Sequence, residues 1–187
     1  DALCDGHEVF IGGIIEHIEE AGVHSGDSAG VLPPVRLSPA LRREVEETTT
    51  RIAKHLGVVG LVNIQYAVHD DRLYVIEVNP RASRTVPFVS KAIGVPLARV
   101  ATQLCLGHTL AELREQGALN TRGEGMYFIK APVFPWRKFP GSDVILGPEM
   151  RSTGEVMGVG WGFGEAYAKA LIAAGLTLPT EGAVFLS

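Results

Sequence analysis

The stretch LVNIQYAV (61–68), HDDR (69–72) and LYVIEVN (73–79) decides the fold. Both flanks alternate and are rich in β-branched and aromatic residues, and a polar tetrapeptide breaks them, so they predict a β-hairpin. Pro80 cannot donate to a ladder and ends the second strand. Alternation sets Asn63, Gln65 and Ala67 on one face of the first strand. It sets Leu73, Val75, Glu77 and Asn79 on one face of the second. The opposite faces, Val62/Ile64/Tyr66 and Tyr74/Ile76/Val78, are apolar and are expected to pack on a core. Parity fixes the register: a three-residue loop, 70–72, puts Gln65 opposite Glu77 and Asn63 opposite Asn79, whereas a two-residue loop sends Glu77 to the other face.

Upstream of the hairpin, Ser38-Pro39 opens a helix, with Ser38 as N-cap and Pro39 at the first helical position. Leu41, Val45, Ile52 and Leu56 form its apolar stripe and Gly57 closes it. Further upstream, residues 8–18 read as an extended apolar run and 20–34 as a glycine- and proline-rich loop. Downstream, 96–106 predicts a helix ended by Gly107. Thr109 and Glu112 make a capping box for a short helix. Residues 126–134 predict a strand, 135–162 an irregular segment, and 163–174 a helix closed by Gly175. The final stretch, 182–187, reads as a strand without a partner. With Asp1 as first residue, it suggests a piece of a longer polypeptide with a boundary near 175. The pattern is a mixture of α+β or α/β type.

The chain has 187 residues, 46 % hydrophobic and 20 % charged, with a formal net charge of −4. Such a chain has enough apolar content for a core and too much for disorder. Mild acidity without a basic block argues against a nucleic-acid binder. No apolar run is long enough to span a membrane. Two cysteines, Cys4 and Cys105, make no disulfide scaffold and are expected to be reduced, buried thiols of a cytoplasmic protein.

Three segments carry possible chemistry. On the hairpin, Glu77 and Asn79 lie side by side with Gln65 across from them. A carboxylate with amide oxygens suits a hard cation such as Mg²⁺ that takes its other ligands from phosphate and water. Arg81, Arg84 and Lys91 follow at once and suit phosphate oxygens. The same residues also fit a solvated strand face with surface ion pairs, and the pattern alone leaves both open. The segment GVHSGDSAG (22–30) lets backbone approach a ligand or forms a surface turn. His17 and His24 suit proton transfer or a structural role. Ser25, His24 and Asp27 do not make a triad, because adjacency in sequence is not triad geometry. In LGPEMRSTGEVMGVG (146–160), Arg151 and Glu155 have no role that physics alone assigns. There is no phosphate-binding GxxxxGK[ST] loop and no zinc-ligand spacing.

The order GVHSGDSA, NIQYAV, YVIEVNPRASRTVPFVSKAIGVPLA, GPEMRSTGEVMGVG resembles the large subunit of carbamoyl-phosphate synthetase along the whole chain. IEVNPR alone is shared in outline with other ATP-grasp ligases; SRTVPFVSKAIGVP is far more specific. GGIIEHIEEAGVHSGDSAG is similar to the second of that subunit's two homologous halves. The resemblance implies an α+β ATP-grasp fold, here its C-terminal lobe with antiparallel sheet and packed helices (1–107), a continuation (108–175) and the start of a regulatory domain (176–187). It implies ATP and Mg²⁺ or Mn²⁺ as cofactors, with K⁺ as a further ion. The implied reaction is phosphorylation of carbamate by MgATP to carbamoyl phosphate and ADP, serving pyrimidine and arginine biosynthesis.

By the same resemblance Gln65, Glu77 and Asn79 match metal-ligand positions. Gln65 and Glu77 also face the nucleotide, with Val23, His24 and Ser25 lining its ribose and base. Arg84 matches the arginine at the transferring phosphate and Arg81 is a second candidate. His17 matches a histidine at the site's edge. Implied partners are the rest of the large subunit and a glutaminase small subunit, in an oligomer when full length. The family's lid lobe has no counterpart in this sequence, so the chain alone is expected to be inactive. Another ATP-grasp ligase, such as a biotin carboxylase or D-alanine ligase, and a non-catalytic scaffold are the competing readings.

Overall fold

The computed structural model describes residues 1–138, 141, 143–176 and 179–183. It contains two four-stranded antiparallel sheets. The first has the order β2-β1-β5-β6, from β1 (Ala2–Asp5), β2 (Val9–Ile11), β5 (Val59–His69) and β6 (Arg72–Asn79). The second has the order β3-β4-β7-β8, from β3 (Glu16–His17), β4 (Gly30–Leu32), β7 (Tyr127–Val133) and β8 (Gly154–Gly160). The helices are α1 (Pro39–His55), α2 (Val86–Ile93), α3 (Leu97–Cys105), α4 (Leu110–Glu115) and α5 (Phe163–Ala173). Among the described residues no helix is long and apolar enough to cross a membrane.

Alternation builds the layers. On β1, Ala2 and Cys4 join Ala53 of α1 and Val62 of β5, while Leu3 joins Leu61 and the apolar face of α3. The first sheet is therefore packed between α1 and α3. The second sheet packs Val31, Ile129 and Ala131 on Ala166 and Ala170 of α5. Its other face sends Leu32 and Phe128 into the core shared with α2, α3 and α4. Residues on either side of position 107 thus share one core, with Leu104 packed in the same cluster as Leu110 and Leu113.

Helix α1 begins as its sequence demands: Leu41 N–H donates to Ser38 Oγ at 3.2 Å and Pro39 occupies the first turn. Its buried stripe is Leu41, Val45, Thr49 and Ala53. Leu56 is corrected: as C-cap residue it leaves the stripe and is 55 % exposed. The capping box at Thr109 and Glu112 is formed.

The hairpin reaches the favourable register by an unexpected route. Its loop is two residues, Asp70 and Asp71, with φ of 49° and 56°. This left-handed pair matches strand twist, and Asp tolerates it. The pairing nonetheless sets Gln65 against Glu77 and Asn63 against Asn79, because a bulge follows Gln65 and the ladder resumes as Tyr66 with Val75. Ile76 is the extra residue. Leu73 and Val75 therefore share a face with Tyr66, not with Glu77. Ile64 and Val78 pack on the core as expected, whereas Tyr74 and Ile76 are 46 % and 62 % exposed.

Other expectations are corrected as well. Gly30–Leu32 is a strand inside the expected loop, and Gly154–Gly160 is a strand inside the expected irregular segment. Glycines hid both. A Cβ at Gly30 would stand 2.6 Å from Ile15 Cγ2, and one at Gly158 would stand 2.0 Å from Ala166 O. These glycines permit close approach within regular strands. Helix α2 was not anticipated; eight residues with Pro87 in the first turn give little periodic signal, though Gly94, at φ 73°, closes it in the usual left-handed way. Cys4 is buried as expected but Cys105 is exposed, and both are free thiols. Of the expected final strand 182–187, residues 184–187 lie outside the described residues, and 182–183 are not in a strand.

Gly158 makes the sharpest stability test. Gly158→Ala forces α5 away from β8 and should cost about 3 kcal/mol or more, the upper range for overpacking. A lowered midpoint in chemical denaturation would show it; an unchanged midpoint would mean α5 does not sit this close.

Candidate functional site

The first sheet extends past α3, and there the α3-side face of the hairpin carries polar residues. Gln65 Nε2 and Asn79 Nδ2 both donate to Glu77 Oε1, each at 2.8 Å. Arg81 continues the chain of contacts, donating to Asn79 Oδ1 at 3.2 Å and to Ala82 O at 3.0 Å. Ser25 Oγ, from the loop before β4, lies 3.4 Å from Gln65 Nε2. The expected residues Gln65, Glu77, Asn79, Arg81 and Ser25 therefore meet at one place, where the two sheets approach each other.

Arg84 stands elsewhere in this group. It joins no hydrogen bond or ion pair among the described residues, and its charge acts on Glu155 of β8. Among the described residues, Val23 and His24 make no hydrogen bond to the hairpin platform. Val23 N–H donates to Glu20 O at 3.5 Å, and His24 N–H donates to Gly147 O at 2.9 Å. His24 Nδ1 accepts from Gly26 N–H at 3.0 Å, which leaves Nε2 to carry the proton of the neutral ring.

The second sheet contributes a row of pairs across β3, β4, β7 and β8: His17 with Gly30, Gly30 with Lys130, and Lys130 with Met157. Lys130 is only 1 % exposed and donates from Nζ to Ser25 O at 3.0 Å. Burial draws its ammonium below the ordinary lysine range, while Glu155, Glu19 and Asp27 work against that shift. Burial also lowers the His17 imidazole, assisted by the Lys130 charge, so His17 is neutral at pH 7. Glu155 keeps exposed surface, yet desolvation of its carboxyl raises it above the usual range against the pull of Lys130, Lys91 and Arg84. The charges of Lys130, Lys91 and Arg84 thus act on the Glu155 carboxylate, and Arg81 reaches Glu77 through Asn79. Such a place can hold a polyanion with its counter-cation.

Sequence reasoning missed Lys130 and Asp1 here, and it named Asp27 only to set aside a triad. Lys130 is the lone charge in the apolar strand YFIKAPV, and that isolation was the available signal. Asp27 is wholly buried, with Oδ1 and Oδ2 accepting from Ser152 N–H and Arg151 N–H at 2.8 Å each. Asp1 accepts from Asn63 Nδ2 at 3.0 Å and Ser83 Oγ at 2.6 Å, and from Thr85 Oγ1, which ties the 81–85 turn to the hairpin. No local pattern marks Asp27 or Asp1, because their partners are distant in sequence.

A bound metal needs a donor set of matching chemistry. Among the described residues no group of three or more His, Cys, Asp or Glu is arranged to hold one. That concerns His, Cys and carboxylate ligands alone; a hard cation also takes amide and phosphate oxygens. Gln65 and Asn79 present amide nitrogen to Glu77, and a half-turn of each amide presents oxygen instead. One carboxylate and two amide oxygens fit Mg²⁺ or Mn²⁺ completing its shell with phosphate and water.

The family model described as carbamoyl-phosphate synthase L chain, ATP binding domain, matches residues 4–113. The carbamoyl phosphate synthase large chain of Acidobacterium capsulatum is 57 % identical over 190 residues, covering 100 % of this chain and 17 % of that protein. The large chain of Archaeoglobus fulgidus is 58 % identical over 187 residues, with the same coverages. The chain thus spans about 17 % of the length of these curated relatives. A biotin carboxylase domain of a single-chain bacterial carboxylase shares the fold at TM-score 0.59 and 18 % identity, over 72 % of this chain and 32 % of that one. The architecture is that of an α+β ATP-grasp lobe.

The buried clasp at Asp27 has a pH signature. Burial would raise its carboxyl, but the hydrogen bonds from Ser152 and Arg151 prevail and hold it below its ordinary 3.8. A depressed carboxyl stabilises the fold fully above about pH 5, and that stabilisation is lost as pH falls through the folded-state value. Asp27→Asn should therefore flatten the acid limb of a stability-versus-pH curve; a limb as steep as in the parent would refute the assignment.

Proposed function

The chain belongs to the family of carbamoyl-phosphate synthase L chain ATP-binding domains, and from that premise we propose that it forms the phosphate- and metal-facing floor of an ATP-grasp ligase site. In the whole protein this half transfers the γ-phosphoryl group of ATP to carbamate, giving carbamoyl phosphate and ADP. The observation that carries this is the convergence of Gln65 and Asn79 on Glu77, on a hairpin whose bulge brings Glu77 and Asn79 to the face of Gln65, with Ser25 of the loop before β4 beside them.

The roles follow from the chemistry. Glu77, with the amide oxygens of Gln65 and Asn79, would hold Mg²⁺ or Mn²⁺, which when bound neutralises phosphate charge. Arg84 and Arg81 offer the planar donors that match phosphate oxygens, with Arg84 serving the transferring group and Arg81 a second candidate. Val23, His24 and Ser25 line ribose and base. Carbamate oxygen attacks the γ-phosphorus in line, and the bond to the ADP oxygen breaks. No covalent link to the protein is needed, so these residues act by positioning and charge neutralisation.

In this reading 1–107 and 108–175 act as one lobe, and 176–187 lead into a regulatory domain. The adenine-covering lobe and the glutaminase partner come from elsewhere in the assembly. A cytoplasmic setting and a place in pyrimidine and arginine biosynthesis go with the same proposal.

The test uses the full-length protein. Glu77→Ala should lower carbamoyl phosphate formation by roughly a hundredfold or more, as removal of a charge-stabilising group does. ATP synthesis from carbamoyl phosphate and ADP should fall with it. If that reverse reaction survives intact, Glu77 does not hold the phosphate's counter-ion.

A further inference from the structure

The turn Val23-His24-Ser25-Gly26-Asp27 makes few bonds within itself. Its internal contacts are Asp27 N–H to His24 O at 2.8 Å and Gly26 N–H to His24 Nδ1 at 3.0 Å. Its position in the molecule is set from outside. His24 N–H donates to Gly147 O at 2.9 Å, Ser152 Oγ donates to Gly26 O at 3.1 Å, and Lys130 Nζ donates to Ser25 O at 3.0 Å. The carboxylate of Asp27 takes Arg151 N–H on one oxygen and Ser152 N–H on the other, each at 2.8 Å, with no exposure to solvent. The turn also lies directly on the downstream segment, since a Cβ at Gly26 would stand 2.8 Å from Met150 Sδ.

We propose that Asp27 is a positioning residue for the nucleotide: by gripping the Arg151 and Ser152 amides it fixes the His24–Ser25 turn at the site, and so makes segment 147–152 part of the nucleotide-binding machinery. This rests on the reading that residues 23–25 line the nucleotide. A carboxylate suits the task because it accepts on both oxygens at once, and bonds to a charged acceptor are stronger than neutral ones. Bound groups must be held within about half an ångström to be useful. A turn with only two internal bonds cannot supply that alone. The Lys130 ammonium, bonded to the intervening Ser25 carbonyl, offsets the buried charge. Asp27→Asn preserves shape but replaces one acceptor by an amide donor facing an N–H.

In the full-length protein, Asp27→Asn should raise the KM for ADP in ATP synthesis from carbamoyl phosphate about tenfold, as expected for one lost charge-assisted bond. The kcat should stay within about twofold. Hydrogen exchange should quicken at residues 22–28 and 147–152 and stay unchanged along the hairpin 59–79. Ser152→Ala removes the hydroxyl that donates to Gly26 O and also favours the Asp27 carboxylate, while keeping both backbone amides on Asp27, and should raise the same KM less, about threefold. If Asp27→Asn does not accumulate as folded protein, Ser152→Ala decides. An unchanged KM, a fall in kcat alone, or faster exchange spread over the whole chain would overturn the inference and leave Asp27 a plain structural residue. If Glu77→Ala leaves the reaction intact, the underlying site reading fails and this inference with it. If Glu77→Ala is inactive while Asp27→Asn binds ADP normally, this inference alone fails.

Discussion

The polar platform depends on one strand of the hairpin carrying one residue more than the other. A two-residue turn at Asp70 and Asp71 with a regular ladder would turn Glu77 to the side of Ile64 and Val78, which is packed against α1. A carboxylate there would lose its hydration with no partner, at a cost of several kcal/mol. The bulge at Ile76 restores parity just before Glu77, so Glu77 and Asn79 rejoin the face of Gln65. The same step releases Tyr74 and Ile76 from the core face. Their exposure is the structural consequence of placing three polar side chains together, on a part of the sheet that α3 does not cover.

Much of this was legible in sequence because it rests on local periodicity and local capping. Ser38-Pro39, the Thr109–Glu112 box and Gly175 each act within a turn of chain, and the hairpin strands alternate visibly. The platform residues were legible because they share strands with spacing of two. What escaped had a non-local cause. The bulge answers a packing demand from α1. Gly30, Gly154, Gly158 and Gly160 looked like loop punctuation, but Gly30 and Gly158 are required inside strands by Ile15 and by Ala166 and Ala170. Helix α2 is short, and Pro80 before it and Pro87 in its first turn mask its start. Leu56 failed the stripe because it is the cap and not the helix.

The buried charges went unseen for the same reason, and they explain how two sheets form one site. Asp27 reaches residues 151 and 152 across more than a hundred positions of chain, and Lys130 reaches Ser25 from the opposite direction. Burying either charge alone would be costly, and a buried pair of opposite sign is seldom a net gain in stability over apolar side chains. What the pair supplies is direction. Apolar contacts between the 22–28 loop and the 147–152 segment would tolerate sliding by an ångström, as Met150 against Gly26 could. A carboxylate that must meet two successive amides tolerates none. The turn beside Gln65 is therefore placed by electrostatics on one side and by the hairpin register on the other, and the seam between the sheets is where both constraints meet.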